Sequence, residues 1–385
     1  MRKLKYLCYY DTPDNIKDNR RYTLSAANVV TYIAEVIADY NVRNIEIVSI
    51  AGSNNRNGCK GGRRKIEKGI SLRSFSSLGY GGRVRNKIDF WLMQIQTFFY
   101  LALHLSKDDD LLVYHSIYYM KMVSILKKIR KFNLILQVEE IYADVVGDNS
   151  LRKKELSFFK LADSYIFPTV LLDKEINQTG KPAVFIHGTY KVEPMRKCNF
   201  QRKKIHDDLE KEIHCVYAGT LDPQKGGAAA SAAAAEFLPS NYSIHILGFG
   251  TPNEIESMKD TVAKIANKKR AKVSYDGVLS GEEYIRFIQS CDIGLSTQNP
   301  NADFNNTSFP SKILSYLSNG LRVVTVDIPA IRTSAVGDIL FYYDEQSAEN
   351  IAKTILSIDL TKKYDSRQLI EQIATDFSNN LLKLL

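Results

Sequence analysis

Two rhythms alternate along the chain. The runs Leu4–Tyr10, Ile45–Ile50, Leu111–His115, Leu134–Val138, Tyr165–Pro168 and Val184–His187 are short, apolar and rich in β-branched or aromatic residues, which predicts buried strands. Between them, Leu24–Tyr40, Asp89–Leu105, Tyr118–Lys131 and Leu151–Ala162 are amphipathic at helical spacing. Alternation of this kind predicts a parallel sheet with crossover helices. Tyr190–Glu212 breaks the rhythm: it is polar and charged, carries Pro194, lacks a sustained apolar face and reads as an interdomain linker. A second strand series follows at His214–Ala218, Ser243–Leu247, Lys272–Tyr275, Ile293–Ser296, Arg322–Val326 and Ile339–Tyr342. The last segment spaces Leu369, Ile370, Ile373, Phe377 and Leu381 as a helix does. The expected fold is α/β, with two Rossmann-like doubly wound domains facing across a cleft. They cover 1–195 and 196–363, and the helix 364–385 packs back on the first. Ligands of such sheets bind outside the carboxyl ends of the strands.

Composition narrows the class. At 385 residues the chain exceeds what one core usually supports, and 44% hydrophobic with 25% charged residues is ordinary for a globular protein. No apolar run is long enough to span a bilayer, and the apolar stretch at the start is too short for a signal peptide, so a cytoplasmic protein is expected. Cys8, Cys59, Cys198, Cys215 and Cys291 are odd in number and scattered, which favours reduced thiols over disulfides or zinc. Charge is divided unevenly. Residues 1–199 hold 32 Lys and Arg against 20 Asp and Glu, whereas the remainder holds 20 against 23. The basic half suits an anionic membrane surface, an acidic glycan or nucleic acid, or is a solvated basic face. Without a nucleic-acid module or interleaved aromatic platforms, nucleic acid ranks last.

The strongest motif runs from Cys215 to Pro239. After a strand ending at Ala218 come Gly219, Thr220, a turn at Asp222–Pro223, then Lys225, Gly226 and Gly227 before an alanine-rich stretch. Glycines let backbone approach an anion, a helix start favours negative charge, and Lys225 adds a cation. The spacing is not that of a Walker A loop. Alone, such a turn is weak evidence, but three further loops follow strands of the same series. Gly248, Phe249 and Gly250 close LGFG; Gly277, Val278 and Leu279 lie in YDGVLS; and Ser308, Phe309, Ser311, Lys312 and Ser315 lie in the segment Asn305–Gly320.

In order and spacing, YAGTLDPQKGG, HILGFG, YDGVLS and FPSKILSYLSNGLRVVT resemble the donor domain of glycosyltransferase family 4, whose fold is GT-B. The resemblance covers most of residues 214–345. More loosely, Asn19–Ile37 and Leu134–Val145 look like bacterial capsular or surface-polysaccharide members. It implies a retaining, metal-independent glycosyltransferase with no required cofactor. Its N-terminal domain would take a glycan or lipid-linked oligosaccharide acceptor. Its C-terminal domain would take a nucleotide-sugar donor, a UDP-sugar ahead of a GDP-sugar, at the inner face of a cell membrane. Three positions depart from the pattern. Thr220 stands where many members have Arg, and Thr307 and Ser315 stand where the family has paired glutamates. A catalytically inactive nucleotide-sugar or glycan binder is therefore the alternative.

The chemistry asks for cations on the leaving diphosphate, for which Lys225 and Lys312 are the candidates. The competing role for Lys312 is a solvated lysine at a helix start. His115, ending a strand, suits a bond to a sugar hydroxyl or the acceptor, and equally a structural histidine. Glu139 and Glu140 end the next strand, one as acceptor-side base or hydroxyl ligand. His187 and Gly188 are placed at the hinge. Asp108–Asp110 precedes a strand and reads as a surface turn rather than a metal site. The basic stretch Gly79–Lys87 is either cover for an acceptor lipid phosphate or a mobile loop.

Overall fold

In the computed structural model, which describes residues 3–39, 44–196, 212–223, 226–266, 270–300 and 309–385, the chain divides into two units. The first comprises residues 1–189 and 376–385, the second 190–375.

The first unit contains β1 (Leu4–Cys8), α1 (Leu24–Asp39), β2 (Ile45–Ser49), β3 (Gly62–Glu67), β4 (Ile70–Ser74), α2 (Gly82–His104) and β5 (Asp110–Tyr114). Next come α3 (Met120–Arg130), β6 (Asn133–Gln137), α4 (Tyr142–Val146), α5 (Asn149–Phe159), β7 (Ser164–Phe167), α6 (Val170–Ile176) and β8 (Ala183–Phe185). Its sheet has the order β3-β4-β2-β1-β5-β6-β7-β8, parallel except for β3, which runs antiparallel to β4. β1 and β2 are buried at every position, as strands covered on both faces must be. Leu7, Val113, Leu136 and Phe167 from the sheet pack with Met93, Leu101, Val123 and Phe159 from the helices. Each such side chain contributes roughly 2 kcal/mol on leaving water.

The second unit contains β9 (Ile213–Thr220), α7 (Ala228–Ala233), β10 (Tyr242–Phe249), α8 (Pro252–Ala266), β11 (Lys272–Gly277), α9 (Gly281–Ser290) and β12 (Ile293–Ser296). It continues with α10 (Lys312–Ser318), β13 (Arg322–Val326), α11 (Pro329–Arg332), β14 (Phe341–Tyr343), α12 (Ala348–Leu356) and the start of α13 (Ser366–Leu384). All of its strand pairs are parallel, in the order β11-β10-β9-β12-β13-β14. The alanine-rich stretch makes only the short α7, followed by a 3-10 turn at Ala234–Phe237. α13 passes from one unit's residues to the other's. Ser366 Oγ donates to Leu317 O (2.9 Å) in the second, and Phe377 stacks on Tyr32 in the first.

Two segments differ from the sequence expectation. Gly79–Lys87 is not a loop throughout, because α2 starts at Gly82, seven residues before Asp89. The β3–β4 hairpin was not expected at all. β3 is GRRKIE, with charged residues at alternate exposed positions, and edge strands carry such charges because they deter further pairing.

Candidate functional site

In both sheets the chain starts in the middle and reverses direction. The reversal lies between β1 and β5 in the first unit and between β9 and β12 in the second. Such switch points leave a crevice at the strands' carboxyl ends. In the second unit Gly219, Thr220, Gly248 and Lys312 lie together at this end of the sheet, with Gly226 and Gly227 in the turn beside them.

β9 and β10 run in register to their ends, so Gly219 lies opposite Gly248, and Thr220 opposite Phe249. Neither glycine has a side chain to cover the strand ends. A Cβ on Gly219 would stand 2.8 Å from Lys312 Nζ, and one on Gly248 only 2.4 Å from the Gly219 carbonyl. Lys312 is the first residue of α10 and lays its ammonium over the Tyr217 ring, 4.1 Å from the centroid. No carboxylate pairs with it among the described residues. Loss of water pushes its pKa down to about 8. A half-buried cation beside bare backbone is suited to an anion.

Tyr217 also organises the turn. Its hydroxyl donates to the Thr220 carbonyl (2.8 Å) and accepts from the Gly227 N–H (3.2 Å). Gly226 N–H donates to Asp222 O at 2.8 Å, and the Thr220 hydroxyl accepts from Asp222 N–H at 3.1 Å. Across the switch point, Thr297 Oγ1 donates to Gly227 O (2.8 Å) and lies 2.6 Å from Ser231 Oγ. A Cβ on Gly227 would come within 2.0 Å of Thr297 O, so glycine is required for this close approach. Tyr217 lies in the motif but is not singled out by it, and Thr297 carries no motif signal, because only the adjacency of β9 and β12 brings it to Gly227.

The remaining donor loops are less convergent. Phe249 and Val278 are exposed, Leu279 is half-buried, and Gly277 has a positive φ of 77°. Gly250 packs on Glu254, whose carboxylate accepts from Thr251 N–H (2.6 Å) and caps α8. Phe309 is buried and Ser311 is exposed before α10. The Ser315 hydroxyl lies 3.2 Å from that of Tyr284. Lys225, Thr307 and Ser308 lie outside the described residues, as does Cys198.

His115, Glu139 and Glu140 belong to the first unit, after β5 and β6. His115 is 1% exposed, with Nε2 at 2.7 Å from Glu155 Oε1 and its ring among Tyr142, Phe158 and Phe159. Glu155 also accepts from Ala143 N–H (2.7 Å) and Tyr142 N–H (3.1 Å), so this pair pins the start of α4 to α5. Burial pushes the imidazole pKa down despite Glu155, which favours the neutral ring. Glu139 takes a hydrogen bond from Gln137, which accepts another from the Tyr6 hydroxyl. Desolvation, helped by Glu140, lifts the Glu139 carboxyl to about 7, although the Gln137 bond opposes it. His187 is buried, with Nδ1 at 2.6 Å from Pro168 O. Asp109 accepts from Lys3, Ser106 N–H and the Ser106 hydroxyl within its turn, and Asp110 opens β5. Among the described residues no group of three His, Cys, Asp or Glu could hold a metal. A cavity of about 640 Å³ beyond β2, lined by Lys17, Arg56 and Lys60 with Asp18 and Asn55, had no motif to announce it.

No protein-family model matches the sequence, and no curated protein is significantly similar to it. Solved structures do match its fold. Sucrose-phosphate synthase from Thermosynechococcus elongatus superposes with a TM-score of 0.71 at 12% identity, over 100% of this chain and 98% of that one. HepE of Anabaena in complex with UDP and glucose gives 0.67 at 10% identity, over 100% and 99%. An E. coli trehalose-6-phosphate structure bound with UDP-2-fluoroglucose gives 0.66 at 9% identity, over 99% and 98%. The fold is α/β with two Rossmann-like parallel-sheet units, as in GT-B glycosyltransferases.

Proposed function

We propose that the chain is a retaining, metal-independent glycosyltransferase that takes a UDP-sugar donor in its C-terminal unit. The observation that carries this is Lys312: a desolvated cation, without a carboxylate partner among the described residues, over Tyr217 at the bare end of β9. The diphosphate rests on the turn from Gly219 to Gly227, with Lys225 as a second cation. As the bond to the sugar breaks, charge grows on the departing diphosphate. A preorganised ammonium stabilises that charge more than the ground state. The names of the similar structures, with UDP and glucose or UDP-2-fluoroglucose bound, support uridine and a hexose.

The acceptor belongs to the N-terminal unit, as a glycan or lipid-linked saccharide of a surface polysaccharide. In this reading Glu139 receives the hydroxyl proton, which its carboxyl near 7 supports at neutral pH. Three basic residues around the cavity beyond β2 favour an acceptor carrying phosphate. The test is UDP release from a panel of UDP-sugars with sugar phosphates and lipid-linked saccharides as acceptors. Acceptor-dependent release supports the proposal. Binding of UDP-sugar without release over the whole panel points instead to a nucleotide-sugar binder. Ser315, engaged with Tyr284 where the resemblance calls for glutamate, favours that second reading.

A further inference from the structure

The outer face of α2 has no use in the donor or acceptor chemistry. Val84, Ile88, Trp91, Ile95, Phe99 and Leu103 recur at three- and four-residue spacing and are 51–74% exposed. They form one stripe about 28 Å long at 1.5 Å per residue. The opposite face, with Met93, Thr97 and Leu101, is the one that packs into the unit. Singly exposed apolar residues are ordinary, but six in line on one helix are not. From Ile88 to Leu103 the only charged residue is Asp89, which is fully buried against Ser77, Leu78 and Arg21. α3 packs alongside α2 and adds exposed Ile129, and Tyr118, in the turn before α3, is exposed and edge-on to Phe90.

Charge selects among occupants. Residues 51–100 hold ten Lys and Arg and two acids, and one of those acids is the buried Asp89. Arg83, Arg85 and Lys87 are exposed in the first turns of α2, bordering the stripe. No helix among the described residues is long and apolar enough to cross a membrane. An apolar stripe with a basic margin and a tryptophan lies in the plane of a bilayer interface, its aromatics at headgroup level.

We propose that α2 is a membrane-docking helix that seats the N-terminal unit on anionic lipid. The inference stands on this surface alone and does not depend on the donor site.

Trp91 is the single tryptophan of the chain, so its emission reports this face directly. The full chain is mixed with phosphatidylcholine vesicles containing or lacking phosphatidylglycerol, then followed by Trp91 fluorescence and by flotation. A blue shift and co-flotation with the anionic vesicles are expected, weakened at least tenfold by I95S/F99S and by R83Q/R85Q/K87Q. Both variants alter only exposed side chains, and circular dichroism and thermal melting check that they fold. Absence of a blue shift with anionic vesicles overturns the proposal. So does flotation that the stripe variant leaves unchanged. A blue shift that grows with protein concentration in the absence of lipid assigns the face to a second copy of the chain and likewise overturns it.

Discussion

Lys312 and Glu139 each hold charge where water is scarce, and each carries a signature in pH. The folded pKa of Lys312, about 8, is below the ordinary 10.5 of lysine. Its charged form is therefore disfavoured by folding: that cost is present below pH 8 and disappears as pH rises to 10.5. A diphosphate reverses this preference. UDP affinity is expected to fall as pH rises through 8, with protons taken up on binding above it, and Lys312→Met should lack that pH step. Titration calorimetry in buffers of different ionisation enthalpy measures both. Glu139 is displaced upward, from 4.5 to about 7, so its ionisation costs stability above pH 7 and costs nothing below 4.5. Glu139→Gln should raise stability by up to about 3 kcal/mol at pH 8 and leave it nearly unchanged at pH 4.5, while slowing transfer if the carboxylate serves the acceptor. Urea unfolding at the two pH values checks the first part. Glu155→Leu is expected to cost about 3 kcal/mol, because His115 and two backbone N–H groups lose a buried acceptor together. The same urea titration measures it. Only the residue types were legible at this scale. Glu139 and Glu140 could be picked out by their place after a strand, but nothing in VYHS distinguishes a histidine in a crevice from one locked on Glu155.

Elements were most readable where burial is uniform. β1, β2 and β12 show as apolar runs because both faces are covered. β3 leaves no apolar run because only one neighbour and solvent surround it, and the start of α2 is hidden in the sequence because Arg83, Val84, Arg85 and Lys87 are exposed. The turn between β9 and α7 was legible as glycine-rich, but the reason for its glycines was not, since Thr297 is 70 residues away from Gly227. Gly227→Ala is expected to cost 2 kcal/mol or more, about what overpacking a closed site takes. It should also weaken UDP binding, because its Cβ would meet a backbone carbonyl at 2.0 Å. Gly62→Ala, with nothing within 4 Å of its Cβ, should stay within about 0.5 kcal/mol of the parent. Paired thermal melts separate the two.

At the scale of the whole molecule, charge and architecture divide alike. The basic half forms the unit that bears the α2 stripe, and the slightly acidic half forms the unit that bears Lys312. Strand–helix alternation was enough to expect two doubly wound sheets, because each crossover leaves its own periodic trace. Strand order leaves none, so the switch point between β9 and β12, where Thr297 meets the Gly227 turn, is not legible in the sequence. The solved structures that share this fold do so at only 9–12% identity. In the proposed function, the strand ends beside Lys312 hold the diphosphate of a uridine nucleotide. Calorimetric titration of UDP into the parent chain and Lys312→Met, both checked for native circular dichroism, tests it most directly. Saturable binding by the parent and a loss of at least tenfold in the variant are expected, about 1.4 kcal/mol of affinity. No binding of UDP by the parent, or equal affinity in the two proteins, would contradict it.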